Sequence, residues 1–178
     1  FIMQSSTNID RTVSFIRAAI SSGKKFILDL FSYYINQAID FNVDVDYNKI
    51  FVWKPIKYNK KTKWFKDKYL NIKTSSKIMP YYAMEVKQSM LEDIKKLYNK
   101  GMIKKACLIY SMWDGYIEKE EKLQQFIDEL EKMNIKFIEL HTSGHADKVA
   151  MEKLNKAVNP DYTIIIHTED SESGANIF

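Results

Sequence analysis

Apolar residues in this chain fall into short continuous runs separated by longer stretches of helical spacing. Phe1-Ile2-Met3 opens as a strand and gives way to Ser5-Ser6. Thr7-Asn8 then offers N-caps for a helix in which Ile9, Val13, Ile16 and Ile20 recur until Gly23 stops it. Lys25 to Leu30, around Phe26-Ile27-Leu28, predicts a second strand, followed by a helix from Phe31 to about Phe41. Ile50-Phe51-Val52-Trp53 predicts another strand, interrupted by Pro55. Tyr81 to Asn99 has helical spacing in Met84, Val86, Met90, Leu91, Ile94 and Leu97, with Gly101 beyond it as a stop. Ala106–Tyr110 predicts a buried strand. Glu118–Met133 predicts an amphipathic helix with Leu123, Phe126, Ile127 and Leu130 on one stripe. A strand over Lys136–Leu140, a helix over Asp147–Val158 and a strand over Tyr162–Ile166 complete the pattern.

Strand followed by helix, repeated, points to an α/β fold with a mostly parallel sheet and crossover helices. In such sheets ligands bind outside the C-terminal ends of the strands, where loops and helix N-termini converge. Three loops occupy that position: Ser5–Asn8, Ser111–Tyr116 and His141–Asp147. Trp113 and Tyr116 would line the cleft and stack on a base, or pack their loop onto the domain.

Composition narrows the class. The chain has 178 residues, 46% hydrophobic and 28% charged, with no apolar run of about 18 residues to cross a bilayer. Its opening on Phe1, without an initiator Met or a basic leader, reads as a fragment with a strand under way. Cys107 is the one cysteine, so no intrachain disulfide forms; a buried thiol and a reducing cytoplasm are expected. Of 27 basic residues only Arg11 and Arg17 are Arg, and the net charge is +4. That balance permits diffuse attraction to a polyanion.

All three histidines, His141, His145 and His167, lie in the last quarter of the chain. Two follow predicted strands directly. Imidazole ligates zinc or donates a proton to a leaving oxygen, while Ser143, Gly144 and a helix N-terminus offer hydroxyl and N–H groups to a phosphate. Residue type alone equally fits a structural role, with Thr142 or Ser143 as a cap and Gly144 in a turn.

The block His141-Thr142-Ser143-Gly144-His145-Ala146-Asp147, then a helix, Asn159-Pro160-Asp161, an apolar strand and His167-Thr168-Glu169, resembles the C-terminal signature of the β-CASP nucleases of the metallo-β-lactamase fold. That family includes ribonuclease J and the pre-mRNA 3′-end cleavage endonuclease. The interval 167 − 145 = 22 residues suits one helix and one strand. Ser5-Ser6-Thr7-Asn8-Ile9-Asp10-Arg11 and Tyr110-Ser111-Met112-Trp113-Asp114-Gly115-Tyr116 extend the likeness upstream. It implies a Rossmann-like β-CASP sheet over residues 1–135 and a strand–helix–strand over 136–178 returning to a metallo-β-lactamase domain. It further implies His145 as general acid and His167 as zinc ligand. His141, Ser143 and Gly144 would line a phosphate pocket, with Ser6, Trp113 and Tyr116 as further substrate-binding residues. His167-Thr168-Glu169 departs from the family's His-Gly-Glu, which loses the tight turn of the glycine.

The family's two-zinc centre needs a His-x-His-x-Asp-His motif, which is absent, so the remaining ligands are expected upstream of Phe1 and the chain by itself is expected to be inactive. The resemblance therefore implies part of a zinc-dependent hydrolase of RNA phosphodiesters. Its partners would be RNA or another single-stranded nucleic acid and the N-terminal metallo-β-lactamase portion; no membrane is involved, and a homo-oligomer is left open. Two alternatives stand beside it. One is a non-catalytic nucleic-acid-binding module, for which Lys57–Tyr69 alternates cations with aromatics. The other is a small-molecule metallohydrolase on the same fold.

Overall fold

The computed structural model describes residues 1–39, 44–54, 69–70, 81–141 and 148–163. In chain order the elements are β1 (Ile2–Met3), α1 (Ile9–Ser21), β2 (Lys25–Leu28), α2 (Leu30–Ala38), β3 (Ile50–Trp53), β4 (Tyr69–Leu70) and β5 (Tyr82–Met84). They continue as α3 (Leu91–Asn99), β6 (Cys107–Tyr110), α4 (Gly115–Lys119), α5 (Glu121–Lys132), β7 (Lys136–Glu139) and α6 (Lys148–Val158). The α/β class and the parallel pairing expected from the sequence are both present, since every described strand pair is parallel.

Strands β4-β3-β2-β5 form one ladder and β1-β6-β7 another. The two ladders join where Ile2 bridges Glu85 and the Val86 N–H donates to the Ile2 carbonyl at 2.8 Å. The resulting order is β4-β3-β2-β5-β1-β6-β7. From β1 the chain runs outward to β2, β3 and β4, then returns to β5 and departs the other way to β6 and β7. The C-terminal ends of β1 and β5 thus form a topological switch point, where the crevice of an open α/β sheet opens.

Strand alternation sends neighbouring side chains to opposite faces. Ile2, Phe26, Leu28 and Ile50 pack with Ile16 and Ala19 of α1 on one face. Met3, Ile27, Trp53, Met84, Leu108 and Tyr110 pack with Ile94 and Leu97 of α3 and with Leu123, Phe126 and Leu130 of α5 on the other. Each such side chain, once buried, contributes about 1.5–3 kcal/mol. Gly23 and Gly101, at φ 72° and 68°, end α1 and α3 as the sequence predicts.

Two expected helices differ. The stretch expected as one helix over 81–99 opens as strand β5, and Met84 and Val86, two residues apart, are both fully buried. A three-residue turn, Gln88–Met90, then leads into α3. The helix expected over 118–133 is two helices, because Glu120 between them takes an extended backbone, φ −112° and ψ 95°. Strand β7 pairs along its length with β6 and lies within a compact unit that runs from Phe1 to His141.

A second unit spans 142–178. Its described part is α6, closed by Asn159 at φ 47° just before Pro160, with the Thr163 hydroxyl donating to Asn155 Oδ1 at 2.7 Å. No described helix is long and apolar enough to cross a membrane.

Candidate functional site

The C-terminal edge of the sheet gathers polar side chains that the strands beneath it force inward. At the end of β1, Gln4 and Ser6 are buried; at the end of β2, Asp29; after β5, Glu85; after β6, Ser111. Thr12 and Ser32, on the first turns of α1 and α2, close over them and are also buried. Buried polar groups are costly unless they pair with one another, and here most of their polar atoms do.

Asp29 is the N-cap of α2, accepting from the N–H groups of Phe31 at 2.8 Å and Ser32 at 3.3 Å. The ammonium of Lys87 lies 3.3 Å from Asp29 Oδ1 and donates to Ser6 Oγ at 2.6 Å. Ser32 Oγ lies 2.8 Å from Ser6 Oγ, 2.5 Å from Asp29 Oδ2 and 2.8 Å from Glu85 Oε1. Gln4 Nε2 donates to Thr12 Oγ1 at 2.7 Å and to Glu85 Oε1 at 3.4 Å. Glu85 Oε2 and Gln4 Oε1 are buried with no hydrogen-bond partner.

Proton counting bears on the charge state of this cluster. Ser32 has one hydroxyl proton but two carboxylates within reach, so both contacts are hydrogen bonds only when one carboxyl is protonated. Burial, then the neighbouring charge of Asp29, pushes the Glu85 carboxyl up to about 7, against lowering contributions from Ser32, Lys87 and Gln4. Below that pH Glu85 is therefore the acid that holds the proton. The line Lys87, Ser6, Ser32, Glu85 connects a partly exposed ammonium to a buried carboxyl.

Beside this cluster, α1 starts on Asn8, whose side chain accepts from the Arg11 N–H at 3.1 Å. Arg11, one turn in, reaches across two strand ends. Its Nη1 donates to the Ser111 carbonyl at 2.7 Å and lies 3.1 Å from Nδ1 of exposed His141. Guanidinium nitrogens only donate, so His141 Nδ1 accepts and its Nε2 carries the proton. A fixed cation and an imidazole N–H thus stand together at the ends of β6 and β7. This donor set suits an anionic oxygen.

The loop after β6 presents Trp113 and Tyr116, 40% and 45% exposed, edge to face at 5.4 Å and 81°. Lys119 Nζ sits 4.6 Å from the Trp113 ring centroid. The Tyr110 hydroxyl donates to the Trp113 carbonyl at 3.0 Å, and burial pushes that phenol up to about 12, so the donor is kept at neutral pH.

Of the residues expected at a site, Ser6, His141, Trp113 and Tyr116 all lie along this one edge. Ser6 faces inward to Lys87 and Ser32, whereas Trp113, Tyr116 and His141 face solvent. Ser143, Gly144, His145 and His167, and most of the Lys57–Tyr69 stretch, lie outside the described residues. Residues that the sequence reading passed over are Arg11, Asp29, Ser32, Glu85 and Lys87. One signal for Asp29 was available, since it follows the run Phe26-Ile27-Leu28 directly and stands where an N-cap belongs. A carboxylate inside the apolar stretch Met84-Glu85-Val86 was another.

Among the described residues no group of three or more His, Cys, Asp or Glu side chains is placed to hold a metal ion. His141 Nδ1 is turned to a guanidinium, and Asp29 to the Lys87 ammonium. Both side chains are thus committed to other partners, and His167, the residue expected to hold zinc, lies outside the described residues.

No family model matches the chain, and no curated protein matches it. Solved structures that match include the crystal structure of a protein of unknown function from Enterococcus faecalis V583. Its TM-score is 0.62 at 16% identity, over 90% of this chain and 33% of that one. At that identity the likeness shows the α/β fold alone, and the chain spans about a third of that protein's length.

Proposed function

We propose that this chain is the β-CASP part of a zinc-dependent metallo-β-lactamase-fold nuclease that hydrolyses RNA phosphodiesters, and that its sheet edge holds the nucleic-acid strand. The observation that carries the reading is Arg11 reaching His141 and the Ser111 carbonyl across the C-terminal edge. A guanidinium and an imidazole N–H side by side, next to exposed Trp113 and Tyr116, suit a phosphate with a base attached. The sequence resemblance at 141–147 and 167–169 supports the same reading.

In this reading the resemblance gives His145 the protonation of the leaving oxygen and gives Ser143 and Gly144 a part in binding phosphate. Zinc, when bound, would polarise the phosphate and activate water. It would be held by His167 together with ligands that this chain does not contain, in a protein of the cytoplasm. The test is to express the longest reading frame that contains this chain and assay labelled single-stranded RNA with and without a chelator. Cleavage lost to chelator and restored by zinc is expected. Cleavage indifferent to chelator, or none in a protein bearing a complete ligand set, overturns the proposal. In the second case, RNA binding that persists would favour the non-catalytic module.

A further inference from the structure

We infer that the C-terminal edge carries two aromatic platforms, Phe31 on one face of the sheet and Trp113 with Tyr116 on the other, which together grip an unpaired strand crossing the switch point. The inference deepens the reading above and rests on it for the class of ligand. The pair it adds is Phe31 and Lys87.

Phe31 is 57% exposed even with the Lys87 ammonium 4.4 Å from its ring centroid. Its position is built, because its own N–H is tied to Asp29 Oδ1 and Lys87 is tied to Asp29 and Ser6. The Trp113 platform is built as well. The Tyr110 hydroxyl holds the Trp113 carbonyl, and Gly115 leaves room for the indole, since a Cβ there would land on the Trp113 ring. Each exposed ring thus has an ammonium on it and a fixed backbone beneath it. Lys25 also lies over aromatics, Phe51 and Tyr82, at 5.2 and 5.9 Å from their centroids. Those rings are only partly buried but pack against the core, so they form no open platform.

Sheet order sets the separation. β2, β5, β1 and β6 are successive strands, so the loops after β2 and β6 stand three strand spacings apart, roughly 14 Å. At about 3.4 Å per stacked base this is about four base steps. A mononucleotide reaches one platform, and a strand of about five nucleotides reaches both. Between them lie the hydroxyls of Ser5 and Thr7, 2.9 Å apart and exposed, and the Arg11 guanidinium stands beside the second platform, at the ends of β6 and β7 with His141. Hydroxyls between two stacking surfaces, with a guanidinium beside one of them, suit a sugar–phosphate backbone better than an acyl chain or an apolar peptide face.

The experiment measures binding of the purified chain to oligouridylates of about one, five and eight nucleotides, and to an abasic strand of about eight, at fixed low salt. Expected is a rise of about tenfold or more in affinity from about one to about five nucleotides, and a loss of about tenfold for the abasic strand. Phe31→Ala and Trp113→Ala should each weaken oligouridylate binding about tenfold and leave abasic binding unchanged. Phe31→Leu and Trp113→Phe guard against misfolding: Leu should behave as Ala, and Phe should retain most of the affinity. Unchanged oligouridylate affinity in the Ala variants, equal losses on both strands, or preference for anionic vesicles over oligonucleotides each overturns the inference. Chelator-sensitive RNA cleavage by the longer protein with intact binding in Phe31→Ala would leave the nuclease reading standing without the platforms. The reverse result would leave the platforms without the nuclease.

Discussion

The two edges of one parallel sheet are built from opposite materials. At the N-terminal edge, Phe1, Phe15, Ala18, Tyr82, Met102, Ile103 and Cys107 line a cleft of about 310 Å³, and lysines stay at its rim. At the C-terminal edge the buried residues are Gln4, Ser6, Thr12, Asp29, Ser32 and Glu85, linked by hydrogen bonds and one ammonium. Apolar packing does not depend on pH and dictates no partner. A buried polar network titrates, and it holds the loops above it in one arrangement. The contrast assigns stability to one edge and chemistry to the other.

The largest test strikes the apolar side. Phe26 is fully buried near the start of β2, so Phe26→Ala should cost about 3–5 kcal/mol, by the same amount at pH 5 and pH 8 in urea melts. A cost that varied with pH would blur the distinction between the edges.

The polar side should do the opposite. Glu85 titrates near 7 when folded and near 4.5 when unfolded, so the native state holds the extra proton between those values. Stability therefore falls as pH rises from about 4.5 to about 7 and is level above. Glu85→Gln, which keeps the shape and does not titrate, should exceed the wild type by up to about 3 kcal/mol at pH 8 and converge with it near pH 4.5. Parallel stability curves for the two proteins would remove the shared proton from the account.

Smaller effects sharpen the picture. Lys87→Met leaves Asp29 buried without its cation and should cost about 2 kcal/mol. That is less than for a fully buried pair, because the lysine side chain is 31% exposed. It should also push the pH-dependent fall above 7, since Lys87 lowers the Glu85 carboxyl's affinity for its proton. Gly115→Ala forces the Trp113 ring off its seat. It should cost about 1 kcal/mol and red-shift tryptophan emission, while leaving the Glu85 titration untouched.

Much of this was written locally in the sequence. Runs such as Phe26-Ile27-Leu28 and Leu108-Ile109-Tyr110 announce strands buried on both faces, and the loops that follow them hold Ser6, Trp113, Tyr116 and His141. Glu85 was not legible, because Met84, Val86, Met90 and Leu91 match a helical stripe as well as a strand. A helix over 81–99 places Glu85 in solvent instead of under the switch point. Nor does local pattern say that β5 inserts between β2 and β1, since strand order depends on contacts far apart in the chain. The Asp29–Lys87–Glu85 cluster exists only once that insertion is known.

The most direct test of the contrast is the salt dependence of oligouridylate binding, compared between variants at the two edges. Arg11→Met and Lys119→Met at the C-terminal edge should each reduce the slope of log affinity against log salt by about 0.7, the value for one phosphate contact to a single strand. Lys24→Met and Lys104→Met beside the apolar cleft should leave it unchanged. A slope that responds to the N-terminal lysines and not to Arg11 or Lys119 would contradict the assignment of nucleic-acid binding to the C-terminal edge.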